Sequence, residues 1–227
     1  YPVFCFIIAM VFFFLAIKKL FNTKIALLST AFLAVVPTFL YRTMAGFSDK
    51  EPLAMMLLFM TFYFFTLAWQ SKKTKQNIIF GAIAGVTTAF TTMAWGGGIY
   101  IFLIIGMFAF LQIILNKFSK KDLYTYTSWM IILTIVLVMF SNGRFHLKDL
   151  IVSFSTGIVY MVFLIALINY LIFKKDILKI KNKINLPKGI SSIILGLIFI
   201  IILASIFFGP SFITGQIKEI TSTMIHP

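Results

Sequence analysis

The sequence contains little charge, few acids and a single cysteine. Of its 227 residues, 61% are hydrophobic and only 11% are charged, and the mean hydropathy is +1.04. This composition excludes a water-soluble globular domain. The lone Cys5 excludes an intramolecular disulfide, and the absence of any Asn-x-Ser/Thr triplet excludes an N-glycan acceptor within these residues.

Long uncharged runs dominate the chain. A bilayer-spanning helix needs about 20 mostly apolar residues, and about eight runs approach that length. No run carries a charged residue, which argues against a coupled transporter or pump. The sequence therefore predicts an all-α integral membrane protein, a polytopic bundle of about eight transmembrane helices. The predicted spans are Tyr1–Ile17, Ile25–Tyr41, Leu53–Gln70, Asn77–Trp95, Gly98–Asn116, Leu123–Asn142, Leu150–Phe173 and Gly189–Phe208.

The basic residues lie in the short connections between these runs. A net charge of +14 would suggest nucleic acid in a soluble protein, but here the lysines are placed to orient the chain in a bilayer, so no nucleic-acid partner is predicted. Every second connection is lysine-rich and is predicted to be cytoplasmic, so Arg42 to Glu51 faces outward. Asp122 and Asp176 lie among these lysines, where we expect solvated charge balance. The lysine-rich connections fall near residues 18–24, 72–75, 117–121 and 174–188.

Two acids lie close together in the outward run Arg42-Thr-Met-Ala-Gly-Phe-Ser-Asp49-Lys-Glu51-Pro52. Side chains two residues apart point the same way in an extended segment but diverge on a helix. Because a proline disfavours helical geometry in the residue before it, we expect Glu51 to be extended, with the next helix beginning behind it. Asp49 and Glu51 can then converge on one cation.

Paired carboxylates suit a hard divalent ion such as Mn²⁺ or Mg²⁺. Two are too few alone, so a further ligand must come from elsewhere. The alternative is a capping box between Ser48 and Glu51, in which the acids only favour a helix N-terminus.

Further along, Gly81 and Gly85 form a small-xxx-small pair that predicts close packing of two helices.

The run YRTMAGFSDKE resembles the second acidic motif of the oligosaccharyltransferase catalytic subunit, the enzyme of protein N-glycosylation. In that family an arginine lies seven residues before the first acid, as Arg42 does before Asp49. Downstream, AWGGGIY is similar to the family's Trp-Gly-Gly segment. The resemblance covers Tyr41 to about Tyr100 by motif and continues by helix order alone.

This resemblance implies a transmembrane bundle of the GT-C glycosyltransferase type. Residues 1–227 would be one membrane-domain fragment, covering about helices two to nine of the family and the start of the fifth external loop. The family's soluble C-terminal domain, which reads the acceptor sequence, would be absent, so the fragment is expected to be inactive by itself.

The resemblance also implies a reaction and its participants. Such enzymes move a glycan, with inversion, from a dolichyl or polyprenyl (pyro)phosphate donor to the Asn of Asn-x-Ser/Thr in an acceptor polypeptide. Asp49 and Glu51 would hold Mn²⁺ or Mg²⁺ and Arg42 would buttress them. The site would face the outer surface of the plasma membrane in an archaeon or bacterium, and the ER lumen in a eukaryote.

A second candidate region carries exposed backbone beside aromatic rings. Trp95, Gly96 and Tyr100 fall at the outward ends of two predicted helices, where the backbone of Gly96 to Gly98 can approach the lipid phosphate. The alternative is a tight turn with interfacial aromatic side chains.

Two other functions remain open from the sequence. One is a different GT-C glycosyltransferase that uses a polyprenyl-phosphate sugar, although such enzymes typically place their key acids in the first external loop. The other is a non-enzymatic lipid flippase or membrane subunit, in which Asp49 and Glu51 only cap a helix.

Overall fold

A computed structural model describes residues 1–44, 49–174, 187–209 and 215. The described residues are almost entirely helical. The helices are α1 (Pro2–Leu20), α2 (Thr23–Val35), α3 (Pro37–Thr43), α4 (Glu51–Gln70), α5 (Thr74–Ala94), α6 (Ile99–Ile114), α7 (Lys120–Phe140), α8 (Leu147–Val152), α9 (Phe154–Asn169) and α10 (Lys188–Phe208). A 3-10 turn (Gly96–Gly98) precedes α6, and a π-helical turn (Tyr170–Lys174) follows α9.

Seven helical segments in the described part of the chain are long and apolar enough to cross a membrane. The α2–α3 pair becomes an eighth if it is counted as one bent span. The predicted all-α polytopic membrane bundle is therefore confirmed. The connection around Asp176 and most of the segment after Gly209 lie outside the described residues.

The second predicted span, Ile25–Tyr41, is wrong as a single straight helix. The chain bends by 66° between α2 and α3. Pro37 is the first residue of α3, and Val36 before it is extended, with φ −65° and ψ 117°. This is the conformation that a following proline imposes, since its ring clashes with a helical neighbour.

The predicted span Leu150–Phe173 is also divided. Ser153 leaves the helical region, with ψ 133°, and separates the short α8 from α9. The membrane-crossing segment of this region is Ser155–Ile172.

The chain forms two compact units, Tyr1–Ala109 with Ser119–Tyr160 and Phe110–Phe118 with Met161–Pro227. In the first unit, α5 and α7 pack closely because glycines face the neighbouring backbone. A Cβ on Gly81 would lie 2.9 Å from the Thr125 carbonyl oxygen, and one on Gly85 would lie 2.6 Å from that of Trp129. The predicted packing role of both glycines is confirmed. Because the contacts advance in the same direction on both helices, α5 and α7 run parallel.

Buried hydrogen bonds connect the helices of this unit. Thr61 donates to Thr87 between α4 and α5 (2.8 Å), and the Trp129 indole N–H donates to Thr88 between α7 and α5 (3.0 Å). All four side chains are buried or nearly so. In an apolar surrounding such bonds replace hydrogen bonds to water that the groups would otherwise lose.

In the second unit, hydrogen bonds between helices and a closely packed glycine likewise hold the helices together. Asn169 of α9 donates to Ser192 of α10 (2.8 Å), and the Gly189 backbone N–H donates to the Asn116 side chain (2.6 Å). Gly196 faces Ile165 so closely that a Cβ would lie 2.6 Å from the Ile165 side chain.

The prediction for Asp122 is wrong. It is 3% exposed, and its Oδ2 accepts hydrogen bonds from the Ser119 backbone N–H (2.8 Å) and hydroxyl (2.5 Å). The carboxylate caps the N-terminus of α7, where the helix dipole favours negative charge. It is a structural cap and not a solvated counter-ion of the lysines.

Candidate functional site

The helix ends of the first unit place Asp49 and Glu51 at one end of the bundle and the lysine-rich connections, with the buried Asp122, at the other. At the acidic end, the Tyr1 hydroxyl donates to the Asp49 carbonyl oxygen (3.0 Å), and Arg144 donates to the Met93 carbonyl oxygen (3.2 Å). At the opposite end, Lys121 Nζ donates to the Trp69 carbonyl oxygen (3.2 Å), and Gln70 to that of Lys19 (3.4 Å).

The two acids and the arginine meet, as the sequence predicts. Arg42 Nη1 lies 2.7 Å from Glu51 Oε2 and 3.8 Å from Asp49 Oδ2. One guanidinium nitrogen is therefore within ion-pair distance of both carboxylates, and a single cation at this position can contact both acids. The Arg42 side chain is 48% exposed, so solvent screens this attraction.

The backbone geometry behind this convergence differs from the prediction. Glu51 is not extended but is the first residue of α4, and Lys50 before it is already in the helical region, with φ −73° and ψ −18°. Pro52 is compatible with this position because the first-turn N–H groups of a helix have no partner within the helix. Arg42, and not an extended strand, brings the carboxylates together.

The capping-box alternative does not fit the observed register. A capping box needs its acid at the third helical position, whereas Glu51 is at the first, and α4 has no side-chain cap. Ser48 itself lies outside the described residues. The dipole of α4 stabilises the negative charge of Glu51 at this end, in addition to the ion pair with Arg42.

A cavity of about 380 Å³ opens beside these charges. Arg42, Glu51 and Trp95 contribute to its lining, so three of the predicted site residues share one cavity. The other walls are mostly apolar side chains of α2, α3 and α4: Leu33, Val36, Thr38, Phe39, Met55 and Phe59.

Aromatic packing holds the cavity wall in place. The Phe39 ring lies 5.4 Å from that of Phe6 in α1 and 6.3 Å from that of Phe59 in α4. These contacts fix the short α3, which carries Arg42 near its end. The sequence analysis missed Phe39 and Phe59 as site residues; the signal that could have revealed them is Pro37, which turns α3 toward α4.

The three glycines of the segment Gly96–Gly98 have different surroundings. Trp95 ends α5 in an extended conformation, and its ring occupies the space where a Cβ on Gly97 would lie. A Cβ on Gly98 would lie 2.6 Å from the Thr92 Cα, so this glycine is needed for packing. A Cβ on Gly96 meets nothing within 4 Å. Gly96 and the exposed Tyr100 are not part of the described cavity lining.

The donor set suits a divalent ion in part. Asp49 and Glu51 supply carboxylate oxygens within 3.8 Å and 2.7 Å of the same Arg42 nitrogen, and hard oxygens of this kind are the ligands that Mn²⁺ or Mg²⁺ prefers. Within the described ranges no group of three or more His, Cys, Asp or Glu side chains occurs. The pair can therefore provide part of a coordination shell that needs further ligands.

Tyr1 adds a neutral donor to the acidic end. Its pKa is raised, first because partial burial disfavours the phenolate and then because a nearby thiolate at Cys5 or carboxylate at Asp49 repels it, while a hydrogen bond with the Leu53 backbone lowers it. The phenol therefore stays protonated at neutral pH and continues to donate to the Asp49 backbone.

Comparison with known proteins identifies the family of this chain. A family model described as "Oligosaccharyl transferase STT3, N-terminal" matches residues 1–224. The chain belongs to the STT3 family.

The curated STT3 relatives are similar over about half of this chain. The Saccharomyces cerevisiae dolichyl-diphosphooligosaccharide–protein glycosyltransferase subunit STT3 is 31% identical over 118 residues, which are 52% of this chain and 16% of that protein. The subunit of the same name from Dictyostelium discoideum is 28% identical over 119 residues, again 52% and 16%. The Oryza sativa STT3A subunit is 23% identical over 159 residues, 70% of this chain and 20% of that protein. The matched region is thus a minor part of each relative.

Proposed function

We propose that this chain is the donor-binding and acid-bearing membrane part of an oligosaccharyltransferase. The complete protein would transfer a glycan from a dolichyl or polyprenyl phosphate carrier to the Asn of an Asn-x-Ser/Thr sequence in an acceptor polypeptide, with inversion at the transferred sugar. The STT3 relatives described above are glycosyltransferase subunits, which supports this reaction class.

The observation that carries the proposal is the convergence of Arg42, Asp49 and Glu51 at the mouth of an apolar cavity. A lipid-linked donor needs an apolar surface for its carrier and a polar site at the reacting phosphate. Both features meet at this end of the bundle.

In this proposal, Asp49 and Glu51 hold Mn²⁺ or Mg²⁺ together with ligands from elsewhere in the protein. The ion would act as a Lewis acid that polarises and positions the acceptor amide. Glu51 and Asp49 orient the acceptor amide, and Arg42 keeps the two carboxylates from separating under their mutual repulsion. Trp95 forms part of the surface that receives the donor.

The proposal also orients the chain. The acidic end would face the exterior of an archaeal or bacterial cell, or the ER lumen of a eukaryote, because lysine-rich connections remain on the cytoplasmic side. The lipid-linked donor, the acceptor polypeptide and the surrounding membrane lipid are then the partners of this site.

The direct test is glycan transfer by the full-length protein. Wild type, Asp49→Ala and the control Lys50→Gln are incubated with a lipid-linked glycan, an Asn-x-Thr peptide and Mn²⁺, with and without a chelator. We expect the chelator and Asp49→Ala each to lower transfer by about a hundredfold or more, and Lys50→Gln to retain it, because the Lys50 side chain is exposed. Full activity of folded Asp49→Ala would refute the metal-ligand role.

A further inference from the structure

A second cavity lies at the opposite, lysine-rich end of the first unit. It measures about 230 Å³ and is bounded by α1, α4 and α6, with Leu20, Phe62, Phe65, Trp69, Ile104 and Phe108 among its lining residues. This volume is below the roughly 300–1,000 Å³ of pockets that enclose a small molecule. It suits a segment of a hydrocarbon chain whose remainder lies in the bilayer.

Aromatic contacts make the base of this cavity rigid. Phe65 and Trp69 stack at 5.5 Å, and the Trp69 and Phe108 rings meet edge to face at 4.9 Å. The Phe65 ring also packs against the buried Trp129 at 6.0 Å. A preformed apolar surface loses little conformational freedom when it receives a ligand.

The mouth of the cavity carries positive charge. Lys121 Nζ is held 3.2 Å from the Trp69 carbonyl oxygen at the C-terminal end of α4, and Gln70 ties the Lys19 backbone to the same end. Lys18 precedes Lys19 at the end of α1, and residues 18–24 and 71–75 contain no acid. The one acid at the start of α7, Asp122, is buried in its cap. Within the described part of the chain, Lys18, Lys19 and Lys121 form no ion pair with an acid, so a ligand at this mouth meets positive charge.

We propose that this cavity binds an acyl chain of an anionic phospholipid from the adjacent leaflet, with the headgroup phosphate bound by Lys121 and Lys19. The positive charge at the mouth favours an anionic lipid over a zwitterionic one, because each lysine near a membrane surface strengthens the binding of an anionic lipid by roughly fivefold. The inference does not depend on the reaction at the acidic end.

The test uses the full-length protein in vesicles that contain phospholipids with brominated acyl chains, which quench tryptophan on contact. Quenching at Trp69 is obtained as the difference between wild type and Trp69→Phe. Brominated phosphatidylglycerol is titrated against brominated phosphatidylcholine in otherwise identical vesicles. We expect half-maximal quenching of Trp69 at a several-fold lower fraction of phosphatidylglycerol than of phosphatidylcholine.

Four variants separate the contributions. Lys121→Gln and Lys19→Gln should each reduce the preference for phosphatidylglycerol by about fivefold, while the matched change Lys148→Gln, at the acidic end, leaves it unchanged. Thr66 also lines the cavity, so Thr66→Phe places a ring inside it and should reduce quenching by both lipids. Identical curves for the two lipids, or the absence of any quenching at Trp69, would overturn the proposal.

Discussion

At the scale of single residues, Arg42 has the most specific position in the acidic site, because one of its nitrogens contacts both carboxylates. Replacing it with glutamine leaves two neighbouring acids without a shared cation. We expect Arg42→Gln to reduce kcat/KM for glycan transfer by about tenfold to a hundredfold. Arg42→Lys should recover part of the loss, since an ammonium restores the charge but not the planar fork of donors.

The measurement is transfer to a fluorescent acceptor peptide by folded, full-length protein. An accompanying Mn²⁺ titration monitored by electron paramagnetic resonance distinguishes a positioning role from simple loss of structure. If Arg42→Gln transferred glycan at the wild-type rate, the arginine would be a bystander at the site.

A second residue-scale prediction concerns the buried bond between Trp129 and Thr88. Thr88→Val removes the acceptor of the indole N–H, both side chains being fully buried. We expect a loss of about 1–2 kcal/mol in stability, since bonds between membrane helices average roughly 0.6 kcal/mol and a buried orphan donor adds to the cost. Thermal unfolding in detergent measures this, and Thr88→Ser, which keeps the hydroxyl, should lie near wild type.

At the scale of elements, the α5–α7 contact depends on its glycines. Gly85→Ala would place a Cβ 2.6 Å from the Trp129 carbonyl oxygen, which forces the parallel helices apart. We expect a destabilisation of roughly 1–3 kcal/mol, as is typical of overpacking. The matched control is Gly96→Ala, where a Cβ meets nothing within 4 Å. Equal unfolding temperatures for the two variants would contradict the close packing.

A second pair of variants, Gly98→Ala and Gly96→Ala, separates two roles of the glycine-rich segment. Gly98→Ala should unfold the 3-10 turn locally, because its Cβ would meet the backbone of Thr92. Gly96→Ala should preserve stability, so any loss of glycan transfer in that variant would report on approach of the donor and not on folding. Unchanged transfer in Gly96→Ala would leave Gly96 without the predicted substrate contact.

The elements show which structural features the sequence could predict. Length and hydropathy located the membrane-spanning segments, because a bilayer core imposes a nearly fixed length on apolar runs. The bend at Pro37 was missed because continuous hydropathy masks a broken helix, although Val36 obeys the rule for residues before proline. At Pro52 the same rule gave a wrong prediction: Glu51 was expected to be extended but is the first residue of α4.

The acidic site was partly predictable for a similar reason. Arg42, Asp49 and Glu51 are close in sequence and meet in space, so their spacing carried the information. Phe39 and Phe59 line the same cavity through tertiary packing, for which Pro37 is only an indirect signal in the sequence. Asp122 was misjudged because a string of neighbouring lysines does not reveal that a cap is buried.

At the scale of the whole molecule, the separation of charge between the two ends of the first unit connects orientation to function. The lysine-rich end suits the cytoplasm and the acidic end suits an external reaction. If that orientation is correct, cysteines introduced at Lys148 and Lys73 must lie on opposite sides of the membrane. Both positions are exposed, whereas the native Cys5 is buried.

An impermeant maleimide applied to intact cells, or to sealed vesicles of known orientation, tests this. We expect Lys148→Cys to be labelled from the outside, Lys73→Cys only after the membrane is permeabilised, and Cys5 to remain unlabelled because it is buried. Labelling of Lys73→Cys in sealed cells would show that the topology is the inverse of the proposed one. The Asp49–Glu51 pair would then face the cytoplasm, where an external glycan transfer could not use it, and the proposed function would fail together with the orientation.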